Sequence, residues 1–295
     1  MPRGRKKKIV ELEQNNSQKL EDKNEFVDKK LNIVLKKLNE KFPGKVKRAN
    51  AEDLTITKLD TGIKSLNEAM GGGLPVGFIT EIYGDESGGK STIVAKMIRE
   101  AQLRGEVCAY LDAEHALDQS WLNKLGVNIG EMIHTEISDA DNVFDVIKAL
   151  VQSKGVKIVV VDSVAALTPR KEVEDDMDKQ SMGTLARTVN KGLRVSNTVN
   201  TRQGTAIIFI NQTRDKIGIV YGSPITTPGG KGMKFFAGIR IEVKRGEWWP
   251  DSKNRKGFEC VCKLVKNKTS IPYTEARFVL MNETGEIKEW DEVKK

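Results

Sequence analysis

The segment Gly84–Ser91 carries a residue pattern that can hold the phosphates of a nucleotide. It reads Gly-Asp-Glu-Ser-Gly-Gly-Lys-Ser, a complete GxxxxGK[ST] pattern. The glycines let backbone N–H groups close around phosphate oxygens, and the N-terminus of a following helix adds partial positive charge. Lys90 then reaches the β- and γ-phosphates, and Ser91 ligates Mg²⁺. The residues predicted to bind the nucleotide here are Gly84, Asp85, Glu86, Ser87, Gly88, Gly89, Lys90, Ser91 and Thr92.

Two carboxylates follow other apolar segments. Asp162 ends the segment Val159–Asp162, about 70 residues after the glycine loop, and is suited to hold the water shell of Mg²⁺ together with Ser91. Glu114 stands in a group of acidic residues directly after the segment Val107–Asp112. Two interpretations of Glu114 stay open: it polarises an attacking water as general base, or it belongs to a solvated loop.

These residues depend on strands and helices that alternate along the chain. Short apolar runs predict strands, and longer runs with helical spacing predict helices. The predicted strands are Ile79–Tyr83, Val107–Asp112, Lys157–Asp162, Ala206–Asn211, Ile239–Val243 and Phe258–Val265, and the predicted helices are Thr92–Leu103, Val143–Gln152 and Met182–Val199. Such alternation predicts an α/β protein with a mainly parallel sheet.

The charge of +8 over 295 residues is unevenly distributed. Residues 1–50 hold 15 basic and 7 acidic side chains, residues 51–180 hold 13 and 23, and residues 181–270 hold 17 and 5. We divide the chain into a basic disordered extension (1–24), a helix with its linker (25–50) and a core (51–295). The helix is predicted over Glu25–Phe42, where Val27, Leu31, Val34, Leu35, Leu38 and Phe42 form an apolar stripe.

Several classes of protein are disfavoured by composition. No run of 18 apolar residues is present, which excludes a membrane span, and no apolar segment of a secretory signal follows the basic N-terminus. Three cysteines cannot form a disulfide framework, and the two histidines show no zinc spacing. We expect a protein of the reducing cytoplasm without a structural metal site.

Seven blocks of the sequence resemble those of bacterial RecA recombinases. They are Gly84–Ser91, Leu111–Asp118, Val160–Pro169, Ile210–Gln212, Lys216–Gly218, Thr226–Gly230 and Val265–Lys268, and the match extends from about Asp28 to about Val293. The resemblance implies a RecA-like P-loop ATPase core with a mainly parallel twisted sheet, preceded by a polymerisation helix. It implies ATP and Mg²⁺ as cofactors. It also implies helical filaments on single-stranded DNA that pair it with homologous duplex DNA while hydrolysing ATP.

The same resemblance assigns roles to individual residues of the nucleotide site. Glu114 becomes the base for water attack, Gln212 the sensor of the γ-phosphate, and Trp121 the aromatic that stacks on adenine beside Asp118. Lys266 and Lys268 match lysines that reach the ATP of the neighbouring subunit. The catalytic residues are then Glu114, Lys90 and Gln212. From the residues alone, Trp121 can equally be a packing residue, and Lys-Asn-Lys an exposed turn.

The basic third quarter of the chain supplies candidate DNA contacts. Arg187 and Arg194 are seven residues apart, on one face of a helix, and the long segment Thr213–Lys231 is predicted to be a structureless functional loop. It resembles the second DNA loop of the family, with Ile217 as a wedge between bases. In the first DNA loop, Glu172–Gln180 carries five carboxylates, which leaves Met182 as the usable contact. The predicted DNA-binding residues are Met182, Arg187, Arg194, Arg214, Lys216, Ile217, Gly229, Gly230 and Lys231.

The two ends of the chain differ from the family pattern. The Glu25–Phe42 helix matches the polymerisation helix, whose apolar stripe docks on the next subunit, but residues 1–24 extend beyond the usual start and resemble a solvated basic tail. Only 27 residues follow Lys268, where family members usually continue into a small domain that gates duplex DNA. We therefore expect duplex uptake with less restraint, or uptake that depends on the basic tail or on another protein.

Two further classes of function compete with a recombinase. One is a filament-forming recombination mediator that binds single-stranded DNA and uses ATP only as a structural switch. The other is a helicase or clock-type ATPase of the same fold, which the Thr213–Lys231 sequence disfavours.

Overall fold

A computed structural model describes residues 23–49, 55–174, 183–200, 204–215 and 225–293. The chain divides into two compact units, Met1–Thr55 and Ile56–Lys295. The boundary lies five residues beyond the one that we expected between the helix with its linker and the core. Residues 1–22, which include almost all of the predicted basic extension, lie outside the described residues.

The first unit contains one long helix, α1, over residues 23–41, which confirms the predicted N-terminal helix. The segment after it folds back on its own unit, since the Arg48 guanidinium contacts Asp28 and Asn32 and the Asn39 side chain donates to the Val46 carbonyl. The predicted stripe stays largely uncovered: Val27, Leu31, Val34, Leu38 and Phe42 are all exposed.

The second unit is built on a large sheet. The strands of the unit in chain order are β1 (Lys58–Leu59), β2 (Leu74–Pro75), β3 (Ile79–Gly84), β4 (Cys108–Asp112), β5 (Met132–Thr135), β6 (Ile158–Asp162), β7 (Ala206–Gln212), β8 (Arg214–Asp215), β9 (Ile225–Thr226), β10 (Ile239–Trp249), β11 (Gly257–Asn267), β12 (Glu275–Met281) and β13 (Ile287–Glu289). Within the described residues, nine of them form one sheet in the order β13-β12-β11-β10-β3-β7-β6-β4-β5.

The sheet is mainly parallel, as the alternation of strands and helices predicts. Strands β10, β3, β7, β6, β4 and β5 run parallel to their neighbours, whereas β11, β12 and β13 are added antiparallel at one edge. The six parallel strands are separated along the chain by helices, which provide the long crossover connections that parallel pairing needs. The last four strands follow one another through short connections, and short connections give antiparallel pairs.

The helices of the second unit are α2 (Lys64–Met70), α3 (Lys90–Gln102), α4 (Gln119–Lys124), α5 (Ala140–Ser153), α6 (Arg170–Glu174), α7 (Thr184–Asn200), α8 (Gly232–Phe236) and α9 (Trp290–Val293). Helices α4 and α5 begin at aspartate caps: Asp139, for example, accepts a hydrogen bond from the Asn142 amide at the start of α5. No helix in the described part of the chain is both long and apolar enough to cross a membrane.

Two hydrophobic cores lie on opposite faces of the sheet. Ile158 and Val160 of β6 pack into one core with α2, α3 and α4, while Val159 and Val161 pack into the other with α5, α7 and α8. This alternation explains why β6 is a continuous apolar run, because both of its faces are covered. The three cysteines are free and buried.

The sequence-based elements and the structure differ in β5, α2 and α4, which were not predicted, at the C-terminal side, and in the predicted DNA loop. Strands β12 and β13 were not predicted, and β10 and β11 are longer than predicted because they form one extended hairpin. The prediction that Thr213–Lys231 is structureless is wrong at its ends: β8 pairs antiparallel with β9, and Lys231 leads into α8. Residues 216–224 lie outside the described residues.

Candidate functional site

Residues of the predicted nucleotide site lie at the carboxyl ends of four neighbouring parallel strands. Strands β3, β7, β6 and β4 are consecutive neighbours, and their carboxyl ends carry the glycine loop, Gln212, Asp162 and Asp112. Ligands of open α/β sheets bind outside the carboxyl ends of the strands. Residues that are up to 128 positions apart in sequence therefore meet in one crevice.

The glycine loop is shaped for close approach by backbone groups. Gly84 ends β3 so close to β10 that a Cβ atom there would collide with the carbonyl oxygen of Val243. Gly89 has a φ of +92°, a conformation that side chains rarely adopt, and the first turn of α3 begins directly after it. The unpaired N–H groups of that turn consequently face the loop, which gives an anion a row of donors.

Lys90 lies folded across its own loop. Its Nζ atom donates to the carbonyl oxygens of Gly84 (3.0 Å) and Asp85 (2.6 Å), and the residue is only 8% exposed. Burial lowers the pKa of Lys90, while the nearby carboxylates of Asp162 and Glu114 act in the opposite direction. The present acceptors of this ammonium are neutral carbonyl oxygens. A nucleotide phosphate would add a negatively charged acceptor, which stabilises the charged form of a buried lysine.

Ser91 and Asp162, the two residues predicted to hold Mg²⁺, contact each other. The Ser91 Oγ atom donates to Asp162 Oδ2 at 3.0 Å, and the Tyr110 hydroxyl donates to the same oxygen. Burial raises the pKa of Asp162, although both hydrogen bonds lower it. A hydroxyl and one buried carboxylate are hard oxygen ligands, and this set fits Mg²⁺ that also contacts phosphates. Metal clusters of three or more acidic, His or Cys side chains are absent from the described residues, and such a site does not require one.

Glu114 is held at the site by two donors from neighbouring strands. The Ser163 hydroxyl donates to Glu114 Oε1, and the side-chain amide of Gln212 donates to the same oxygen at 3.3 Å. The loop that carries Glu114 is fixed in turn, because the amides of Ala113 and Glu114 donate to the Asp162 carbonyl at 2.7 and 3.1 Å. The exposed side chain of Glu114 therefore stands in a defined position, which favours the general-base interpretation over that of a merely solvated loop.

Asp112 has a different position from its neighbour. It is 3% exposed, and its Oδ2 accepts a hydrogen bond from the Leu117 amide at 2.9 Å. This hydrogen bond joins the two ends of the 113–117 loop, and so helps to fix the position of Glu114 within it.

The residues predicted to contact the adenine of the nucleotide, Asp118 and Trp121, lie at the start of α4. Asp118 is the N-terminal cap of α4: its Oδ1 accepts from the amides of Ser120 (2.8 Å) and Trp121 (3.1 Å). The Ser120 hydroxyl also donates to this oxygen, at 2.7 Å, and that hydrogen bond is the main cause of a lowered pKa of Asp118. Trp121 is half-buried against the core, with the Lys124 ammonium 5.8 Å from its ring centroid. Its packing and its open side are compatible with both interpretations given above, a core residue and a stacking surface.

Lys266 and Lys268 lie far from the glycine loop of the same chain. Lys266 is level with Arg240 and Glu81, and the Lys268 amide donates to the Gly238 carbonyl at the amino end of β10. Gly84 is therefore three to five residues further along the sheet, about 10–16 Å away. The Lys266 ammonium donates to the carbonyl oxygens of Lys234 and Phe235 at the end of α8. Neither lysine therefore borders the glycine loop of its own chain.

The described part of the predicted DNA surface lies on α7, on the turn before α8 and, with Arg214, on β8. Arg187 and Arg194 are both exposed, two turns apart on α7. Gly229 and Gly230 have φ of +83° and +74°, and a Cβ on Gly230 would stand 2.9 Å from the Cβ of Ala186. The glycine turn therefore lies beside Arg187. Exposed Lys231 follows at the start of α8, whereas Met182, Lys216 and Ile217 lie outside the described residues.

Four residues of this crevice were not predicted from the sequence. Tyr110 and Ser163 hold the carboxylates of Asp162 and Glu114, the Thr213 hydroxyl donates to Asp85 in the glycine loop, and Asn211 contacts Pro228 near the end of the predicted DNA loop. Each of the four lies within or just after a predicted strand. Proximity to a strand end was the available signal, but the partners are 17 to 128 residues away in sequence.

Comparison with known proteins agrees with this geometry. Residues 29–287 match the family model described as the RecA N-terminal domain. Protein RecA of Wolbachia pipientis subsp. Culex pipiens is 40% identical over 269 residues, which cover 90% of this chain and 76% of the relative. Protein RecA of Cereibacter sphaeroides is 41% identical over 245 residues (81% and 71%), and that of Colwellia psychrerythraea 39% over 269 residues (88% and 78%). With a family model that covers most of its length and relatives of this similarity, the chain belongs to the RecA family of recombinases.

Proposed function

We propose that this protein is a DNA-dependent ATPase that assembles into helical filaments on single-stranded DNA and promotes pairing and strand exchange with homologous duplex DNA. The observation that carries the proposal is the contact of Gln212 with Glu114, 3.3 Å between Nε2 and Oε1. It joins the residue proposed to activate water to the strand that leads into the proposed DNA loop.

ATP would lie in the crevice with its phosphates on the glycine loop. The N–H groups at the start of α3 and the Lys90 ammonium would bind the phosphate oxygens, and Ser91 and Asp162 would hold Mg²⁺. When bound, Mg²⁺ neutralises phosphate charge. Glu114, held by Ser163 and Gln212, would accept a proton from the attacking water as the water oxygen bonds to the γ-phosphorus. The bond between the γ-phosphorus and the β,γ-bridging oxygen breaks at the same time, so ADP leaves and inorganic phosphate is formed.

DNA would bind to the surface formed by α7 and the glycine turn. Arg187, Arg194, Arg214 and Lys231 supply positive charge, and backbone N–H groups around Gly229 and Gly230 supply neutral donors. We propose the same role for Met182, Lys216 and Ile217. Affinity based on such phosphate contacts falls steeply with salt.

Filament formation would complete the nucleotide site. The uncovered apolar stripe of α1 is proposed to dock on the next copy of the chain, a heterologous contact that repeats without closing. In the same assembly Lys266 and Lys268 would approach the ATP of a neighbour, as charge-stabilising groups supplied in trans.

The decisive experiment measures three activities of one preparation. ATP hydrolysis is followed with and without single-stranded DNA, filaments are imaged, and joint molecules with homologous duplex are scored. We expect hydrolysis that DNA stimulates, filaments and joint molecules, and loss of hydrolysis in the Lys90→Ala and Glu114→Gln variants. Filaments without joint molecules would instead indicate a recombination mediator, and hydrolysis without filaments a different ATPase of the same fold.

A further inference from the structure

A buried ionic group crosses three strands beneath the proposed DNA surface. Glu81 of β3 is fully buried, and its Oε2 accepts a hydrogen bond from Arg240 Nε of β10 at 2.5 Å. Arg240 also lies over the ring of Tyr83, 4.6 Å from its centroid. A buried carboxylate and a buried guanidinium are stable only as a satisfied pair, so each fixes the other in position.

The second oxygen of Glu81 fixes the side chain of Asn211. Asn211 is fully buried on β7, and its Nδ2 donates to Glu81 Oε1 at 3.0 Å. The same Nδ2 group donates to the carbonyl oxygen of Pro228 at 3.1 Å, and Oδ1 accepts from the backbone amide of Gln212 at 3.0 Å. The carboxylate of Glu81 thus decides which way the amide of Asn211 faces, because only the NH₂ side can face a carboxylate.

Asn211 therefore connects the two ends of the proposed DNA loop. Gln212 is the residue before the loop, and its side chain contacts Glu114. Pro228 directly precedes the Gly229-Gly230 turn beside Arg187. The path from the glycine turn to Glu114 is short, with one side chain, that of Asn211, between Pro228 and Gln212.

We propose that Glu81, Arg240 and Asn211 are positioning residues that couple DNA at the glycine turn to ATP hydrolysis at Glu114. Movement of the turn on DNA binding shifts the Pro228 carbonyl, and Asn211 transmits the shift to Gln212 because Glu81 prevents its amide from turning away. The ion pair with Arg240 makes Glu81 the fixed point. This inference rests on the proposed function, since it requires an ATPase that DNA stimulates.

The test exchanges the hydrogen-bond donor and acceptor between positions 81 and 211. In the Asn211→Asp variant, acceptors face both Glu81 and the Pro228 carbonyl. In the double variant Glu81→Gln with Asn211→Asp, the amide at position 81 donates to the carboxylate at position 211. The number of carboxylates near Arg240 stays at one. The Pro228 carbonyl, however, still faces an acceptor. The buried pair is restored while the connection to the loop stays broken.

We expect the double variant to regain the thermal stability and the DNA-free ATP hydrolysis that the single variant loses. Its stimulation by single-stranded DNA should stay reduced about tenfold, within the usual range of coupling between two sites. Recovery of stimulation together with stability would overturn the proposal, because Glu81 and Asn211 would then be core packing only. Wild-type protein assayed in parallel separates this failure from failure of the proposed function, which would appear as no DNA stimulation at all.

A second measurement uses the unaltered protein, in case the variants do not fold. Hydrogen exchange at the Gln212 amide, which donates to Asn211, is followed with and without single-stranded DNA under nucleotide. We expect DNA to slow this exchange about tenfold, with no comparable change at the Ala206–Ile208 part of the same strand. Equal exchange at Gln212 in both conditions would overturn the proposed connection.

Discussion

At the scale of single residues, the crevice depends on neutral side chains that hold charged ones. Ser163 and Tyr110 are not charged, yet they donate to Glu114 and Asp162 and so fix the two carboxylates that the proposed chemistry needs. A hydrogen bond to a carboxylate limits its orientation, and a general base is effective only within hydrogen-bonding reach of its water.

Replacing Ser163 by Ala should slow ATP hydrolysis while leaving nucleotide affinity nearly unchanged. The substitution removes a donor to Glu114 but touches no residue of the glycine loop. We expect kcat to fall about tenfold or more, with KM within about twofold. Ser196 is the matched control: it is as buried as Ser163 (1% exposed), and its hydroxyl has no partner among the described residues. Equal effects of Ser163→Ala and Ser196→Ala would contradict the role of Ser163.

Replacing Asp162 by Asn should stabilise the free protein and abolish its response to Mg²⁺. Burial raises the pKa of Asp162 above its ordinary value, so ionisation costs the folded protein more than it costs the unfolded chain. This cost is absent at low pH, grows as pH rises and is complete above the raised pKa. The asparagine side chain carries no charge, so it avoids the cost, but it also attracts a cation much less than the carboxylate does.

In thermal unfolding without ligands, the Asp162→Asn variant should melt about 1–4 °C above wild type at pH 7, and the difference should shrink as pH is lowered. Adding Mg²⁺ with a non-hydrolysable ATP analogue should raise the Tm of wild type much more than that of the variant. An unchanged Mg²⁺ dependence of nucleotide binding in the variant would exclude Asp162 as a ligand.

At the scale of elements, the contacts between α7 and the glycine turn define the shape of the proposed DNA surface. Gly230 approaches α7 so closely that there is no room for a side chain beside Ala186. The turn thereby keeps its N–H groups next to the arginines of α7, and we expect this proximity to matter for DNA more than for ATP.

The Gly230→Ala variant should lose DNA-stimulated hydrolysis with little loss of DNA-free hydrolysis. Its new methyl group meets Ala186 and also strains a backbone with φ of +74°. Gly105→Ala separates the two effects, because Gly105 has nearly the same φ, +75°, with nothing within 4 Å of a Cβ. Both changes should cost about 1 kcal/mol of stability from backbone strain. Only Gly230→Ala should weaken DNA binding in a fluorescence titration, and equal titrations would refute the contact.

The helix α1 is a second element whose surface makes a prediction. Leu31 lies within its apolar stripe, while Ile33 lies on the opposite side of the helix, and both are exposed. Leu31→Glu should prevent filament assembly in sedimentation and electron microscopy, whereas Ile33→Glu should not. Assembly by the Leu31→Glu variant at wild-type protein concentration would show that the stripe does not form the contact.

Prediction from the sequence was successful where one pattern carries the information locally. The glycine loop, the apolar strands and α1 each follow from neighbouring residues, and the parallel sheet follows from their alternation. The contact of Glu114 with Ser163 joins residues 49 positions apart, and that of Glu81 with Arg240 joins residues 159 apart. Such pairs depend on strand order, which a single sequence does not display. The paired ends of the DNA loop were missed because β8 and β9 have two residues each.

At the scale of the whole molecule, the two parts of the proposed ATP site lie at different levels of one sheet. The glycine loop follows the carboxyl end of β3, and Lys266 and Lys268 lie toward its amino end. Hydrolysis that needs both is a property of a pair of subunits.

Mixing two inactive variants should therefore restore hydrolysis. Lys90→Ala removes the phosphate contact, and Lys266→Ala with Lys268→Ala removes the lysines supplied to a neighbour. In a 1:1 mixture, junctions that combine an intact loop with intact lysines should restore about a quarter of wild-type activity with single-stranded DNA. Leu31→Glu introduced into both variants serves as control and should prevent the recovery. No recovery in filaments that contain both variants would refute supply in trans.

Because the loop and the lysines of one chain lie at different levels of the sheet, the proposed filament would have two unlike ends. One end presents a glycine loop that no neighbour completes, and the other presents lysines without a nucleotide. ATP at the first end would be hydrolysed at a different rate from ATP inside the filament. Growth and shortening would then be unequal at the two ends, so that hydrolysis at the junctions between subunits would limit the length of the whole polymer.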